Sequence, residues 1–101
     1  MVKSKDQVLS LLREAKPELK ERFGINRLAL FGSYAKGTAT AKSDVDVLYY
    51  LAGNRSQTLT QVLDLDDFLK ELLEVDKVDA VNNDYLNPII GFFIEDSLEY
   101  V

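Results

Sequence analysis

Gly32-Ser33 and Asp44-Val45-Asp46 are the residues whose types and spacing suit chemistry. Gly32 closes a compact apolar run, Arg27-Leu28-Ala29-Leu30-Phe31, and a short helix is expected to follow it. A glycine at such a junction lets the backbone turn tightly and lets a ligand come close. The N–H groups that open the helix lack helical partners and attract anions. With the Ser33 hydroxyl at the same point, this turn suits a terminal phosphate. Asp44 and Asp46 alternate along the next strand, so both carboxylates face one way, with Cα atoms roughly 6.5–7 Å apart. Carboxylates at that spacing can converge on two cations about 3.5–4 Å apart, the separation of two-metal sites. Asp44 alone would also suit a strand-entry cap. Asp46 has no such simple reading. Val45, Val47 and Leu48 beside it imply burial, an unpaired buried carboxylate is costly, and a metal ion would neutralise it.

The composition narrows the chemistry further. The 101 residues contain no Cys and no His, which excludes disulfides, thiolate zinc sites, cysteine nucleophiles and a Ser-His-Asp triad. Metal ligands would have to be oxygen, which favours Mg²⁺ or Mn²⁺. The length suits one domain, residues 1–101, with one modest core. An apolar share of 47% fits a folded chain, and no apolar run approaches the roughly 20 residues that span a bilayer. The opening Met1-Val2-Lys3-Ser4-Lys5-Asp6 lacks a signal-peptide stretch, so a cytoplasmic location is expected.

These residues need elements to hold them. Ser4 with Gln7 reads as a capping box, and Val8, Leu11, Leu12 and Ala15 recur at helical spacing. Pro17 is expected to start a second short helix, with Leu19 and Phe23 on its apolar face and Gly24 as its stop. Strands are expected near 27–32, 44–51 and 75–81, with a small polar loop over 38–43. Gly53-Asn54-Arg55-Ser56 reads as a turn. A helix over 58–73 carries Leu59, Val62, Leu63, Leu65, Leu69 and Leu72, while Asp64, Asp66 and Asp67 read as its solvated face. Pro88 opens a last helix with Ile89, Ile90, Phe93, Ile94 and Leu98. Tyr49 and Tyr50 read as core residues on opposite faces of one strand.

Gly-Ser, ten residues, then Asp-x-Asp resembles the signature of the DNA polymerase β-like nucleotidyltransferase superfamily. The wider wording, Phe31-Gly32-Ser33-Tyr34-Ala35-Lys36-Gly37 through Ser43-Asp44-Val45-Asp46-Val47, is similar to the minimal nucleotidyltransferases of bacteria and archaea. Lys36 departs from the family's more usual Arg, keeping the charge but losing the bidentate fork. The resemblance implies an α/β (α+β) fold, a small mixed sheet with helices packed on it. It also implies a third carboxylate on a later strand, which Lys77-Val78-Asp79-Ala80-Val81 supplies as Asp79, with Asp76 as the competitor. In that setting Gly32 and Ser33 cradle the β- and γ-phosphates, Lys42 and Ser43 lie near the triphosphate, and Asp44, Asp46 and Asp79 hold two Mg²⁺ (or Mn²⁺) ions. Tyr34 suits either stacking on a base or packing.

The implied reaction is nucleoside monophosphate transfer from a triphosphate, with pyrophosphate leaving. Members of this kind are typically paired with a HEPN-domain ribonuclease toxin, which implies an antitoxin that uses ATP to place AMP on a tyrosine of the toxin. The charge distribution suits a basic protein partner. Residues 1–55 carry a net +4 and residues 56–101 a net −9. The same asymmetry also suits a merely solvated surface. No long basic stripe is present, so direct nucleic-acid binding is not expected, nor is a membrane. Two other readings stay open: a binding-only antitoxin that masks its toxin, and a subunit that nucleotidylates a small molecule.

Overall fold

The computed structural model describes residues 3–53 and 56–101, except for the side chain of Phe93. The turn expected at Gly53-Asn54-Arg55-Ser56 therefore lies partly outside the described residues, and Phe93 falls on the last helix as expected, with its side chain not described. The elements run α1 (Lys5–Phe23), β1 (Ile25–Phe31), α2 (Gly32–Lys36), β2 (Val45–Leu51), α3 (Leu59–Leu73), β3 (Val78–Asn82), α4 (Pro88–Ile94) and β4 (Glu99–Tyr100). Short 3-10 turns occupy Asn83–Tyr85 and Glu95–Ser97. The sheet has the order β3-β2-β1-β4. It is mixed, because β1 is antiparallel to β2 and β4 whereas β2 and β3 are parallel.

The capping box forms as the sequence indicates: Gln7 N–H donates to Ser4 Oγ, and Ser4 N–H to Gln7 Oε1 at 2.7 Å. The expected break at Pro17 does not occur. α1 is one helix of 19 residues with Pro17 inside it. A proline in a helix interior costs about 3 kcal/mol. Here it is offset, because the buried stripe Val8, Leu12, Ala15 and Leu19 runs straight across the proline, whose ring faces solvent. Gly24 stops the helix at φ 68°, a left-handed conformation that glycine adopts without strain.

That stripe, with Leu65, Leu69 and Leu73 of α3, packs on Leu28 and Leu30 of β1 and Val45, Val47 and Tyr49 of β2. The core face of α3 is narrower than its apolar residues suggest. Leu59, Val62 and Leu63 are exposed, and Leu73 rather than Leu72 is sealed. Asp66 bonds Lys70 at 2.8 Å on the outer side of the helix, while Asp64 and Asp67 are exposed. Tyr50 is not a core residue. It is half-buried beside Arg27, whose guanidinium sits 4.0 Å from the Tyr100 ring centre, and its hydroxyl meets that of Tyr100 at 3.0 Å. The third strand begins at Val78, three residues later than expected, because Glu74 closes α3 in a left-handed conformation and residues 75–77 complete the turn. β4 has no sequence signal of its own. It forms because Ala29 and Leu30 offer it an open edge.

Candidate active site

The end of β1 and the starts of β2 and β3 meet at one end of the sheet. Phe31 stands opposite Asp46, and Asp46 is the register partner of Asp79. Asp44 lies two residues earlier, just before β2. Parallel pairing of β2 with β3 thus brings Asp79, distant in sequence, level with Asp46. Asp76 stays in the exposed turn before β3. Asp44 and Asp79 are exposed, while Asp46 is half-buried between buried Val45 and Val47.

Gly32 is where glycine is required. Its φ is +74°, and a Cβ there would fall on Asp46 Oδ2, 3.1 Å from the carboxylate carbon. The Gly32-Ser33 turn and the Asp46 carboxylate are therefore in direct apposition, and any side chain at position 32 would force them apart. Ser33 follows at the start of α2, partly exposed, and its carbonyl accepts Thr38 N–H at 2.9 Å. α2 has only five residues, so its dipole is small. What it offers an anion is its individual N–H groups.

The carboxylates are electrostatically crowded. The Asp46 carboxyl is pushed up from 3.8 to about 6, first by burial, then by the charge of Asp79 and then by that of Asp44. A divalent cation would relieve that repulsion, and the all-oxygen donor set would suit Mg²⁺ or Mn²⁺ rather than a softer ion. As placed, no three acidic side chains among the described residues close around one point tightly enough to form a complete ligand cluster. The oxygen chemistry of Asp44, Asp46 and Asp79 would suit such a cation, and a preformed cage is not present among the described residues.

The neighbouring residues resolve several open readings. Tyr34 is 4% exposed and belongs to the core. Ser43 Oγ accepts Thr40 N–H at 2.9 Å, which ties down the loop before Asp44. Its hydroxyl also meets that of Thr40 at 3.4 Å. Lys42, Ser43, Lys77 and Tyr34 line a cleft of about 620 Å³ beside that loop. Lys36 is exposed at the end of α2. One contact was not legible in the sequence. Ser97 Oγ accepts Gly32 N–H at 3.3 Å and donates to the Ile94 carbonyl at 3.0 Å, joining the C-terminal turn to the Gly32-Ser33 turn. A serine after an apolar helix carries no local mark of that contact.

Comparison with known proteins places this geometry in a family. The nucleotidyltransferase domain model matches residues 12–101. The protein adenylyltransferase MntA of Thermococcus cleftensis is 33% identical over 96 residues, covering 95% of this chain and 94% of that protein. A solved structure described as a candidate minimal nucleotidyltransferase superposes with a TM-score of 0.75 at 32% identity, covering 96% of this chain and 95% of the other. A chain of the complex between the tri-AMPylated HEPN toxin of Shewanella oneidensis and its MNT antitoxin shares the fold, with a TM-score of 0.59 at 20% identity over 95% of this chain and 66% of that one. With Gly32 against Asp46 and Asp79 level with it, this chain belongs to the minimal nucleotidyltransferases, enzymes of nucleotidyl transfer.

Proposed function

We propose that the protein transfers AMP from ATP to a tyrosine of a cognate HEPN-domain toxin in the cytoplasm, and that this transfer makes it the toxin's antitoxin. The apposition of Gly32 with Asp46, and of Asp46 with Asp79, carries the transferase half of this reading. The names of the relatives support the acceptor: an adenylyltransferase of proteins, and an AMPylated HEPN toxin bound to an MNT antitoxin.

In this reading the Gly32-Ser33 turn holds the β- and γ-phosphates, with Ser43 and Lys42 in support. The Ser33 N–H and hydroxyl are its donors, because the Gly32 N–H is given to Ser97 Oγ. Asp44, Asp46 and Asp79 are the residues that would hold Mg²⁺, which would supply charge neutralisation at the triphosphate and a lowered acceptor pKa. The tyrosine oxygen forms a bond to the α-phosphorus, the α–β anhydride bond breaks, pyrophosphate leaves, and the phenolic proton passes to water. Asp46 sits behind Gly32, so it fixes the phosphate turn relative to the exposed carboxylates where the acceptor arrives.

The test is a mass measurement. Incubated with the toxin, ATP and Mg²⁺, the wild type should leave AMP on the toxin at substoichiometric protein. Asp44→Asn with Asp46→Asn should lower that rate by at least about a thousandfold. Ser33→Ala should slow transfer by a smaller factor. If the double variant neutralises toxin as well as wild type does, at equal stoichiometry and with no adduct, the protein is a steric mask.

A further inference from the structure

Among the described residues, the α4 segment presents an exposed apolar surface. Ile89 and Ile90 are 68% and 53% exposed, and Tyr85 in the preceding turn is 78% exposed. Single exposed apolar side chains are ordinary, but three within six positions mark an interaction surface. Asp84, Glu95 and Asp96 flank it, and no Lys or Arg follows Lys77 in the chain. A second exposed trio, Leu59, Val62 and Leu63, has no comparable tie to the phosphate turn.

The charge pattern selects the occupant. A symmetric pair of this chain through α4 would set Asp84, Glu95 and Asp96 against their own copies, and facing like charges are unfavourable. A head-to-tail pair through Leu59, Val62 and Leu63 of α3 would bring exposed Asp64 and Asp67 against the same carboxylates, so it would need the basic surface of α1 to supply an apolar centre. Arg13, Lys16, Lys20 and Arg22 there alternate with Glu14, Glu18 and Glu21, and no large apolar residue of α1 is among the exposed ones. A second copy does not fit; a different protein with an apolar centre and a Lys/Arg rim does.

The position of the patch indicates its role. Ser97, in the turn that closes α4, accepts Gly32 N–H and donates back to Ile94 of α4. A protein seated on α4 is thus held beside the phosphate turn, and any load it places on α4 reaches that turn through one side chain. We infer that α4 and its flanking turns are the docking surface for the acceptor protein, which meets it with an apolar patch rimmed by basic residues. The acceptor's identity rests on the proposed function; the surface and its chemistry do not.

The test measures affinity for the cognate HEPN-domain protein. Ile89→Gln with Ile90→Gln changes exposed positions to a good helix former and should weaken binding by roughly tenfold or more. Asp84→Lys with Glu95→Lys and Asp96→Lys should slow association and remove its salt dependence. Both variants should keep the thermal shift given by Mg²⁺ and ATP. Unchanged affinity in both variants overturns the inference, as does failure of the wild type to bind. A wild type that sediments as a dimer and becomes monomeric in Ile89→Gln/Ile90→Gln overturns it as well. If AMP reaches the partner while both variants dock normally, the docking surface is wrong and the transferase reading stands. If both variants lose binding and no adduct ever forms, the docking surface is right and the transferase reading fails.

Discussion

α1 and α4 both read as helices with an apolar face, yet they end in opposite situations. α1 drives Val8, Leu12, Ala15 and Leu19 into the core and keeps a proline inside the helix to do so. α4 is only seven residues long and leaves Ile89 and Ile90 in solvent. Periodicity says which residues share a face. Whether that face meets a partner within the chain depends on where the sheet has room, and the near face of β1 and β2 is already filled by α1 and α3. An apolar face left over after the core is complete is available for contact with another molecule.

The sharpest way to break this contrast is to remove equivalent bulk from the two helices. Leu12→Ala should cost about 2–5 kcal/mol, since Leu12 is fully buried and the cavity cannot collapse easily. Ile90→Ala should change stability by less than about 0.5 kcal/mol in the isolated protein. Urea denaturation of both variants decides it. Comparable losses would mean that α4 is packed in solution and is not an open surface.

The same distinction explains what was legible in the sequence. The capping box, the Gly24 stop and the bodies of β1 and β2 depend on local patterns, and the structure places each near where those patterns indicate, although β2 starts at Val45 and leaves Asp44 just ahead of it. The level pairing of Asp79 with Asp46 depends on strand register, so only the family resemblance pointed to it. Pro17 misled because a local backbone rule was outweighed by tertiary burial. The late start of β3, the short β4 and the Ser97 contact have no local cause at all. Each depends on a surface presented by a distant segment.

A smaller effect tests whether the two regions are coupled. Ser97→Ala removes the acceptor of Gly32 N–H and the donor to Ile94. The loss should be about 1 kcal/mol, or roughly 4–8 °C in Tm for a domain of this size. It should also reduce any further rise in Tm given by Mg²⁺ and ATP, because the Gly32-Ser33 turn is then less firmly held. A variant with wild-type Tm and a wild-type ligand shift would mean that α4 and the Gly32-Ser33 turn are independent.

The smallest effect is electrostatic and belongs to the carboxylates on the site side of the contrast. Asp46 titrates at about 6 in the folded protein against an ordinary 3.8. Between those values the native state holds a proton that the unfolded chain has released. Stability is therefore fully present below about pH 4, falls as pH rises to about 6, and levels off at the lower value. Asp46 is only half-buried, so solvent screens much of the effect and the fall should be about 1 kcal/mol or less. Asp46→Asn removes that titration, so wild type minus variant isolates it from every other group. The variant should be the more stable of the two at pH 8 without metal, and the difference should vanish near pH 4. Mg²⁺ at pH 8 should stabilise the wild type and leave Asp46→Asn almost unchanged, since the cation relieves a repulsion the variant no longer has. Urea midpoints across pH 4–8 give the result. A difference that is flat with pH, or of opposite sign, would mean that Asp44, Asp46 and Asp79 are not crowded at one end of the sheet.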